Sequence, residues 1–464
     1  MSAKSILCLG AGLVTAPGVR YLCDAGFNVT VASRTVSKAE KIVDGLKSGS
    51  AVELDVTDEK QAGKLEQLVK EHDLVISLLP WTQHVPVCKL ALKHKTHFAT
   101  TSYISDEMQA LDADFKAAGV LCFNECGVDP GLDHMSAMKI IDAVHAEGGK
   151  IETFLSYCGG LPCPDDNNNP FGYKFSWSPK GVLLAAKRVA KYLEEGKEKT
   201  LDGNVGSMIY DVFQEDSSVP NVGPPLTGEW PAFFECHPNG DSLKYINVYG
   251  IPEVKTIIRG TYRSAGWCPT MKAVTLLGLL KDDNVSALKG KSYLAFMNHA
   301  MNQPEDTTAA DLRTFMANKL SLQADNPIFE RLEWLGLFST EKKVTKDTCI
   351  DALCDLFFDN PKFWYAEGER DMIAMHHTFV VEKKDGSKEK ITSTMVDYGI
   401  KNGDTCMSRT VSLPLAIMVK RILNGDAKEL EGVCRPVSAA TYTPVLEEME
   451  KSFGVTFVEK TTPL

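Results

Sequence analysis

Between residues 5 and 124 the chain alternates, six times over, between a short apolar run and a stretch with helical periodicity. The apolar runs are 5–10, 27–32, 51–54, 74–79, 97–100 and 120–124, and the intervening helical stretches include 36–46, 59–71 and 85–93. In the first interval Val14, Pro17, Tyr21, Leu22 and Ala25 share one helical face. Strands that are apolar throughout are buried on both faces, and successive β-α units build a parallel sheet. The expectation is an α/β fold whose first domain, residues 1–130, is a doubly wound Rossmann sheet that binds a dinucleotide.

After residue 124 the pattern changes. Leu132, Met135, Met138, Ile141 and Val144 mark a helix leading out of that domain. Residues 152–157, and the pair 378–382 and 390–396 joined through Asp385-Gly386, alternate as half-buried antiparallel strands do. Long helices are expected at 181–195, 309–322 and 344–357, and loops at 165–169 and 216–225. The reading is a second α+β domain, 131–397, on a mixed or antiparallel sheet. A C-terminal helical segment, 398–464, with a helix at 411–423, then packs back on the first domain.

A chain of 464 residues is long enough for two such cores. Its net charge of −11 is spread without a basic stripe, which argues against a nucleic-acid partner. No charged and apolar leader precedes the first strand, and runs such as 273–280 are far shorter than the ~20 residues that span a bilayer, so no membrane partner and a cytoplasmic location are expected. The thirteen cysteines include no Cys-x-x-Cys, and the pairs Cys122/Cys126, Cys158/Cys163 and Cys349/Cys354 lack histidines at zinc spacing. They read as reduced, mostly buried thiols, with no metal site. Oligomeric state is open, a homodimer being one option.

Gly10-Ala11-Gly12 lies between the first strand and first helix, where Gly10 permits a tight turn and Gly12 leaves backbone N–H groups open to a pyrophosphate. Leu13 and Val14 continue that turn. The third glycine of the usual fingerprint is replaced by Thr15, which is expected to loosen helix–strand packing. The second strand ends not on an acid but on Ser33-Arg34-Thr35, a guanidinium between two hydroxyls, which suits a 2′-phosphate and favours NADP(H). The alternative is that Arg34 only caps a loop and both cofactors bind. Asp55 and Val56 are expected at the adenine, and Ser77, Leu78 and Leu79 along the nicotinamide ribose.

Gly127-Val128-Asp129-Pro130-Gly131 follows the sixth strand at the carboxyl edge of the sheet. Asp129 is either a ligand contact or the cap of the next helix with Pro130 at its first position, and the two roles can coexist. Tyr157-Cys158-Gly159-Gly160-Leu161-Pro162 is read as a loop whose glycine pair allows close backbone approach.

Together these segments resemble the saccharopine reductase family over essentially the whole chain. The motifs that carry the resemblance are Gly10-Ala11-Gly12-Leu13-Val14-Thr15-Ala16-Pro17, Thr100-Thr101-Ser102-Tyr103, Gly127 to His134, Phe154 to Pro162, Gly172 to Ser178, and Arg259-Gly260-Thr261-Tyr262-Arg263. The resemblance implies NADPH-dependent reduction of the imine formed from L-2-aminoadipate 6-semialdehyde and L-glutamate, giving saccharopine in lysine biosynthesis. It also implies substrate contacts at Ser102, Tyr103, Asp129, Thr261 and Arg263, with Asp129, Cys158 and Tyr103 as candidates for the proton transfers. Val128 and Trp177 fall beside the cofactor. One departure stands out: the family has a carboxylate-binding arginine at the position of Gly240, so that Lys244 takes over or the substrate differs. The competing readings are an imine reductase for a carboxy-polyamine or opine-type substrate and a non-catalytic NADP-binding sensor.

Overall fold

The structure is a computed structural model and describes residues 3–201 and 234–464, so that the expected loop at 216–225 lies outside the described residues. The chain divides into two compact units: Met1–Gly149 with Lys383–Asp385 and Met395–Glu459, and Lys150–Glu382 with Gly386–Thr394 and Lys460–Leu464.

The first unit opens on β1 (Ser5–Leu9), β2 (Asn28–Ser33), β3 (Gly49–Glu53), β4 (Leu74–Ser77), β5 (His97–Thr100) and β6 (Leu121–Phe123). All pair in parallel in the order β3-β2-β1-β4-β5-β6, the expected doubly wound arrangement. Strand order reverses between β1 and β4, which opens a crevice at their carboxyl ends. Leu7, Leu9, Val75, Phe98 and Cys122 are wholly buried, because helices cover both faces of such a sheet. The helix Leu132–Ala146 also belongs to this unit, whereas the sequence reading places it past the boundary at 130.

The second unit is built on β7 (Lys150–Pro162), β8 (Ala190–Glu194), β9 (Lys197–Leu201), β10 (Phe234–Pro238), β11 (Thr256–Ser264), β12 (Asp371–Glu382) and β13 (Lys388–Tyr398). The sheet is mixed: β7 and β11 run parallel, while β12 lies antiparallel to β7 and β10 antiparallel to β11. Three expectations need correction here. The segment 157–162, read as a loop, is the second half of β7, since Gly159 is needed to pass the β11 backbone: a Cβ there would lie 2.8 Å from the Tyr262 carbonyl oxygen. The helix expected at 181–195 stops at Leu184 and gives way to β8, which turns into β9 through Glu195-Gly196, both at positive φ as a two-residue hairpin requires. The helix begun at 344 starts instead at Cys349, where Thr348 caps it by accepting from Asp351 N–H.

Back in the first unit, the helix Cys406–Asn424 packs along Ala16–Asp24. Gly18 makes this approach feasible, as a Cβ there would stand 2.9 Å from the Ser412 carbonyl, and its N–H donates to Ser412 Oγ at 3.0 Å. Then β14 (Gly432–Cys434) adds in parallel to β6, and the helix Ala439–Phe453 packs on Leu132–Ala146, with Tyr442 Oη donating to Asp142 at 2.7 Å. β15 (Val458–Pro463) pairs with β13 at the edge of the second sheet.

The two central strands of the second sheet have unlike faces. Leu155, Tyr157, Leu161, Ile258 and Tyr262 join an apolar core with Trp267, Met271, Phe296, Leu332 and Phe357. Ser156, Cys158, Arg259, Thr261 and Arg263 occupy the other face, as the period-2 alternation and the pairing of Arg259 with Ser156 and Thr261 with Cys158 dictate. Gly260 lies under the Tyr157 ring on the apolar side: a Cβ would stand 2.7 Å from that ring and 2.5 Å from the His237 carbonyl. Gly260→Ala is therefore expected to lower stability by about 2–3 kcal/mol. Gly63→Ala, with nothing within 4 Å of its Cβ inside the helix Ala62–Glu71, should be neutral or stabilising, and thermal denaturation of both checks this.

Candidate functional site

The loops after β1, β2, β4, β5 and β6 meet the carboxyl edge of the first sheet, and they carry most of the residues singled out from sequence. Gly10 sits at φ +111, and a Cβ on it would lie 2.8 Å from the Leu78 carbonyl oxygen, so glycine alone lets the turn after β1 pass the turn after β4. Thr15, which stands in place of the third glycine, is part of this turn. It is buried, its hydroxyl donates to the Gly10 carbonyl at 3.1 Å and accepts from Gly12 N–H at 3.1 Å, and the turn is latched from inside. Beyond Gly12 no atom lies within 4 Å of an added Cβ, and Leu13 is exposed with Val14 half-buried beside it. An open, glycine-lined turn at the start of a helix fits a pyrophosphate.

Arg34 is exposed, and Ser33 Oγ accepts from Thr35 N–H at 3.2 Å, leaving the guanidinium to reach outward from a braced turn. Asp55 braces the turn after β3 by accepting from Thr57 N–H and Oγ1 at 2.9 and 2.6 Å. Those hydrogen bonds, with a smaller contribution from the Arg34 charge, hold its carboxyl below the ordinary value. Val56 and Leu79 are half-buried, Ser77 is fully buried, and Val128 is 6% exposed.

Tyr103 Oη donates to Asp129 Oδ1 at 2.9 Å, which joins the loop after β5 to the loop after β6. Asp129 does not precede a helix starting at Pro130. The helix begins at Leu132 with Gly131 at the cap position, and it is Asp133 whose Oδ1 accepts from Gly131 N–H at 2.6 Å. Gly131, at φ +148, admits no side chain, since a Cβ would collide with Gly127.

Beneath this pair lies a buried cluster that sequence reading passed over. Glu125, at φ +55 and 0% exposed, accepts from Ile104 N–H at 3.0 Å and meets His134 Nε2 at 2.9 Å, with Arg435 at 3.6 Å. Its own N–H donates to the Ser102 carbonyl at 3.1 Å. Burial alone would raise this carboxyl, but the hydrogen bond and charge of His134, with Arg435 and the Ile104 N–H, hold it down at about 2. His134 appeared only within a motif; the signal for its role was its i+9 spacing from a buried acid across a tight turn, which no local pattern reveals. His84 was also missed. It is buried at the head of the helix His84–Lys93, with Nδ1 2.8 Å from Ser77 Oγ and Nε2 2.8 Å from Ser102 Oγ.

In the second unit Cys158 and Thr261 are direct neighbours across β7 and β11, and Arg263 follows two residues on. Cys158 is buried, like ten of the other twelve cysteines, and all thirteen are free thiols. Arg263 is 4% exposed; its Nη1 donates to the Tyr262 carbonyl at 2.8 Å, and its guanidinium lies 5.2 Å from the Tyr173 ring centre. Among the described residues no carboxylate pairs with it, an arrangement that favours an anionic ligand. Trp177 also belongs to this unit and is half-buried. Gly240 has φ +65, so an arginine placed there would be penalised by the backbone even though the space is open.

A carboxyl held at about 2 rather than its ordinary 4.5 contributes about 3 kcal/mol of stability. Because the folded value is the lower one, that contribution is complete above pH 5 and lost as pH falls toward 2. Glu125→Gln should therefore lower the unfolding free energy by about 3 kcal/mol at pH 7, and the gap to the unsubstituted protein should close between pH 5 and 2 in denaturant titrations.

Comparison with known proteins agrees with this layout. Residues 6–123 match the family described as Saccharopine dehydrogenase NADP binding domain, and residues 127–455 match Saccharopine dehydrogenase C-terminal domain. The Saccharopine dehydrogenase [NADP(+), L-glutamate-forming] of Schizosaccharomyces pombe is 40% identical over 96% of this chain and 97% of its own length. The protein of the same name from Pyricularia oryzae is 38% identical over 99% of both. The structure of apo saccharopine dehydrogenase (L-Glu forming) from Saccharomyces cerevisiae superposes with a TM-score of 0.86 at 37% identity, covering 99% of this chain and 100% of that one. No helix among the described residues is long and apolar enough to cross a membrane. On these matches, across both units, the chain belongs to the saccharopine dehydrogenase family.

Proposed function

We propose that this protein reduces the imine formed from L-2-aminoadipate 6-semialdehyde and L-glutamate to saccharopine, reversibly, with NADP(H), as a step of lysine biosynthesis. The observation that carries the reading is the convergence, at one edge of one parallel sheet, of an open phosphate-binding turn at Gly10-Ala11-Gly12 and a hydrogen-bonded Tyr103–Asp129 pair. The first suits a dinucleotide and the second suits proton transfer. The full-length relatives are glutamate-forming saccharopine dehydrogenases, so the carboxy-polyamine, opine and sensor readings are not favoured.

Gly10, Gly12, Leu13 and Val14 would hold the pyrophosphate of NADP(H); Ser33, Arg34 and Thr35 would take its 2′-phosphate; Asp55 and Val56 would border the adenine; and Ser77 to Leu79, Val128 and Trp177 are the residues proposed for the nicotinamide end. When bound, NADPH supplies the hydride. The chain's own work is to orient the imine and move protons around it. Asp129, accepting from the Tyr103 hydroxyl, takes the one proton that the amine loses as it adds to the aldehyde; Tyr103 gives its proton to the carbinolamine hydroxyl that leaves as water, and the proton on Asp129 restores the Tyr103 phenol across their hydrogen bond. Cys158, buried beside Thr261, shapes the reacting centre. Ser102, Thr261 and Arg263 bind the substrate, whose three carboxylates face a net charge of −11 and therefore depend on local cations such as Arg263. The cytoplasm is the proposed location, and a homodimer is the assembly to test by sedimentation.

The assay is NADPH oxidation with glutamate and aminoadipate semialdehyde. Binding of NADPH without turnover would refute the reading. NADPH is expected to be preferred over NADH, and Arg34→Ala should remove about 1.5–3 kcal/mol of that preference, read from the kcat/KM ratio of the two cofactors. Asp129→Asn should lower kcat and kcat/KM together, by about 100-fold or more, with Tm nearly unchanged. Loss of Tm with turnover intact would reduce Asp129 to a structural residue.

A further inference from the structure

His84 sits between two hydroxyls that the proposed function assigns to different ligands. Its Nδ1 is 2.8 Å from Ser77 Oγ, at the end of β4, and its Nε2 is 2.8 Å from Ser102 Oγ, after β5. The two strand ends are tied a second time, as Thr100 Oγ1 donates to the Ser77 carbonyl at 2.8 Å and accepts from Ser102 N–H at 3.3 Å. His84 is 3% exposed, and burial pushes its pKa down to about 4, so the ring is neutral at physiological pH. A neutral imidazole has one N–H and one lone pair. Which nitrogen holds the proton decides what each serine does.

If Nδ1 carried the proton, it would donate to Ser77 Oγ. The hydroxyl proton of Ser77, a residue 0% exposed whose hydroxyl meets no polar group other than His84 among the described residues, would then have no acceptor among them and would forfeit its hydration. If Nε2 carries it, Ser77 donates to Nδ1 and Nε2–H donates to Ser102 Oγ. Every buried proton is then paired. The one proton left over belongs to Ser102, which is half-buried and can present it to a ligand.

We propose that His84, as the Nε2–H tautomer, is a positioning residue that fixes the Ser102 hydroxyl as a hydrogen-bond donor toward a carboxylate of the substrate. The inference rests on the reading of Ser102 as a substrate contact, and it adds the direction of that contact and its cause. With its oxygen already engaged by Nε2–H, Ser102 favours an acceptor, which suits carboxylates and disfavours the ammonium of the same ligand. The substrate is thereby oriented as well as bound.

The tautomer is read directly by ¹⁵N NMR of histidine-labelled protein, the His84 signals being those lost in His84→Gln. Protonated Nε2 with unprotonated Nδ1 is expected, and the reverse assignment overturns the proposal. Kinetics then test the consequence. Ser102→Ala and His84→Leu are each expected to raise the KM for glutamate or saccharopine roughly ten-fold with kcat little changed, a charge-assisted hydrogen bond being lost in both. The double variant should be no worse in KM than Ser102→Ala, while any Tm loss from His84→Leu persists in it. His84→Gln, which keeps a donor and an acceptor, should recover much of the KM. If Ser102→Ala raises KM but His84→Leu does not, or if the KM effects add, the positioning role fails and the Ser102 contact stands. If Ser102→Ala leaves KM unchanged, the Ser102 contact fails and the proposal with it.

Discussion

Much of the first unit's functional edge depends on one buried carboxylate. Glu125 holds its place at positive φ, an unfavourable conformation for a side chain of its size, because four partners over-determine it: the Ile104 N–H, the Ser102 carbonyl, His134 and Arg435. Through them the loop after β5, the loop after β6, the helix Leu132–Ala146 and the segment after β14 become one body. Tyr103 and Asp129 project from two of those loops, and their 2.9 Å contact inherits the rigidity. The proton-transfer role proposed for this pair depends on a fixed reach, which free loops would not keep.

The same logic explains which parts of the fold were legible in the sequence. Apolar runs and helical intervals revealed β1 to β6 because parallel strands buried on both faces leave an unmistakable pattern. Gly10 and Gly12 were legible because a single local constraint, backbone approach, selects glycine. β7 was half-read, since Gly159 and Gly160 signal a loop when the neighbouring strand that demands them is unknown. The 181–195 segment misled because Tyr192 and Leu193 suit either periodicity, and the decisive Glu195-Gly196 hairpin turn is a weaker signal than Asn-Gly. Glu125, His134 and His84 were invisible for a different reason. Their meaning lies in contacts between segments, and no spacing along the chain encodes those. Much of the candidate site beyond the glycine turn was named through family resemblance, which the residues alone could not supply.

In the second unit the site is a matter of register. The pairing of Cys158 with Thr261 is fixed by the glycines at 159 and 260, each of which lets an aromatic neighbour cross the sheet on the opposite, apolar face. A one-residue slip would exchange the faces, placing Arg259 and Arg263 in the hydrophobic core and Tyr157 and Tyr262 outside it. Both arginines are buried where they stand, so what opposes the slip is the loss of their present contacts together with the exposure of the two tyrosines. Packing on one side of the sheet therefore guarantees the polar array on the other.

This bears on the departure at Gly240. The loop position has φ +65, its carbonyl accepts from Lys191 N–H at 2.9 Å, and the neighbouring Asn239 N–H donates to the Arg259 carbonyl at 2.9 Å. Glycine is what this backbone favours, and an arginine at the same φ would carry a conformational cost. The segment is not left without cations. Arg259 lies 4.2 Å from the Tyr245 ring centre and the Lys244 ammonium 5.0 Å from the same ring. Arg259 is tied to the loop a second time, its N–H donating to Ser242 Oγ at 3.0 Å. A guanidinium carried on a central strand and stacked on a buried ring is held more firmly than one on a loop at positive φ. The strand thus carries a firmly held positive charge beside a loop whose conformation favours glycine.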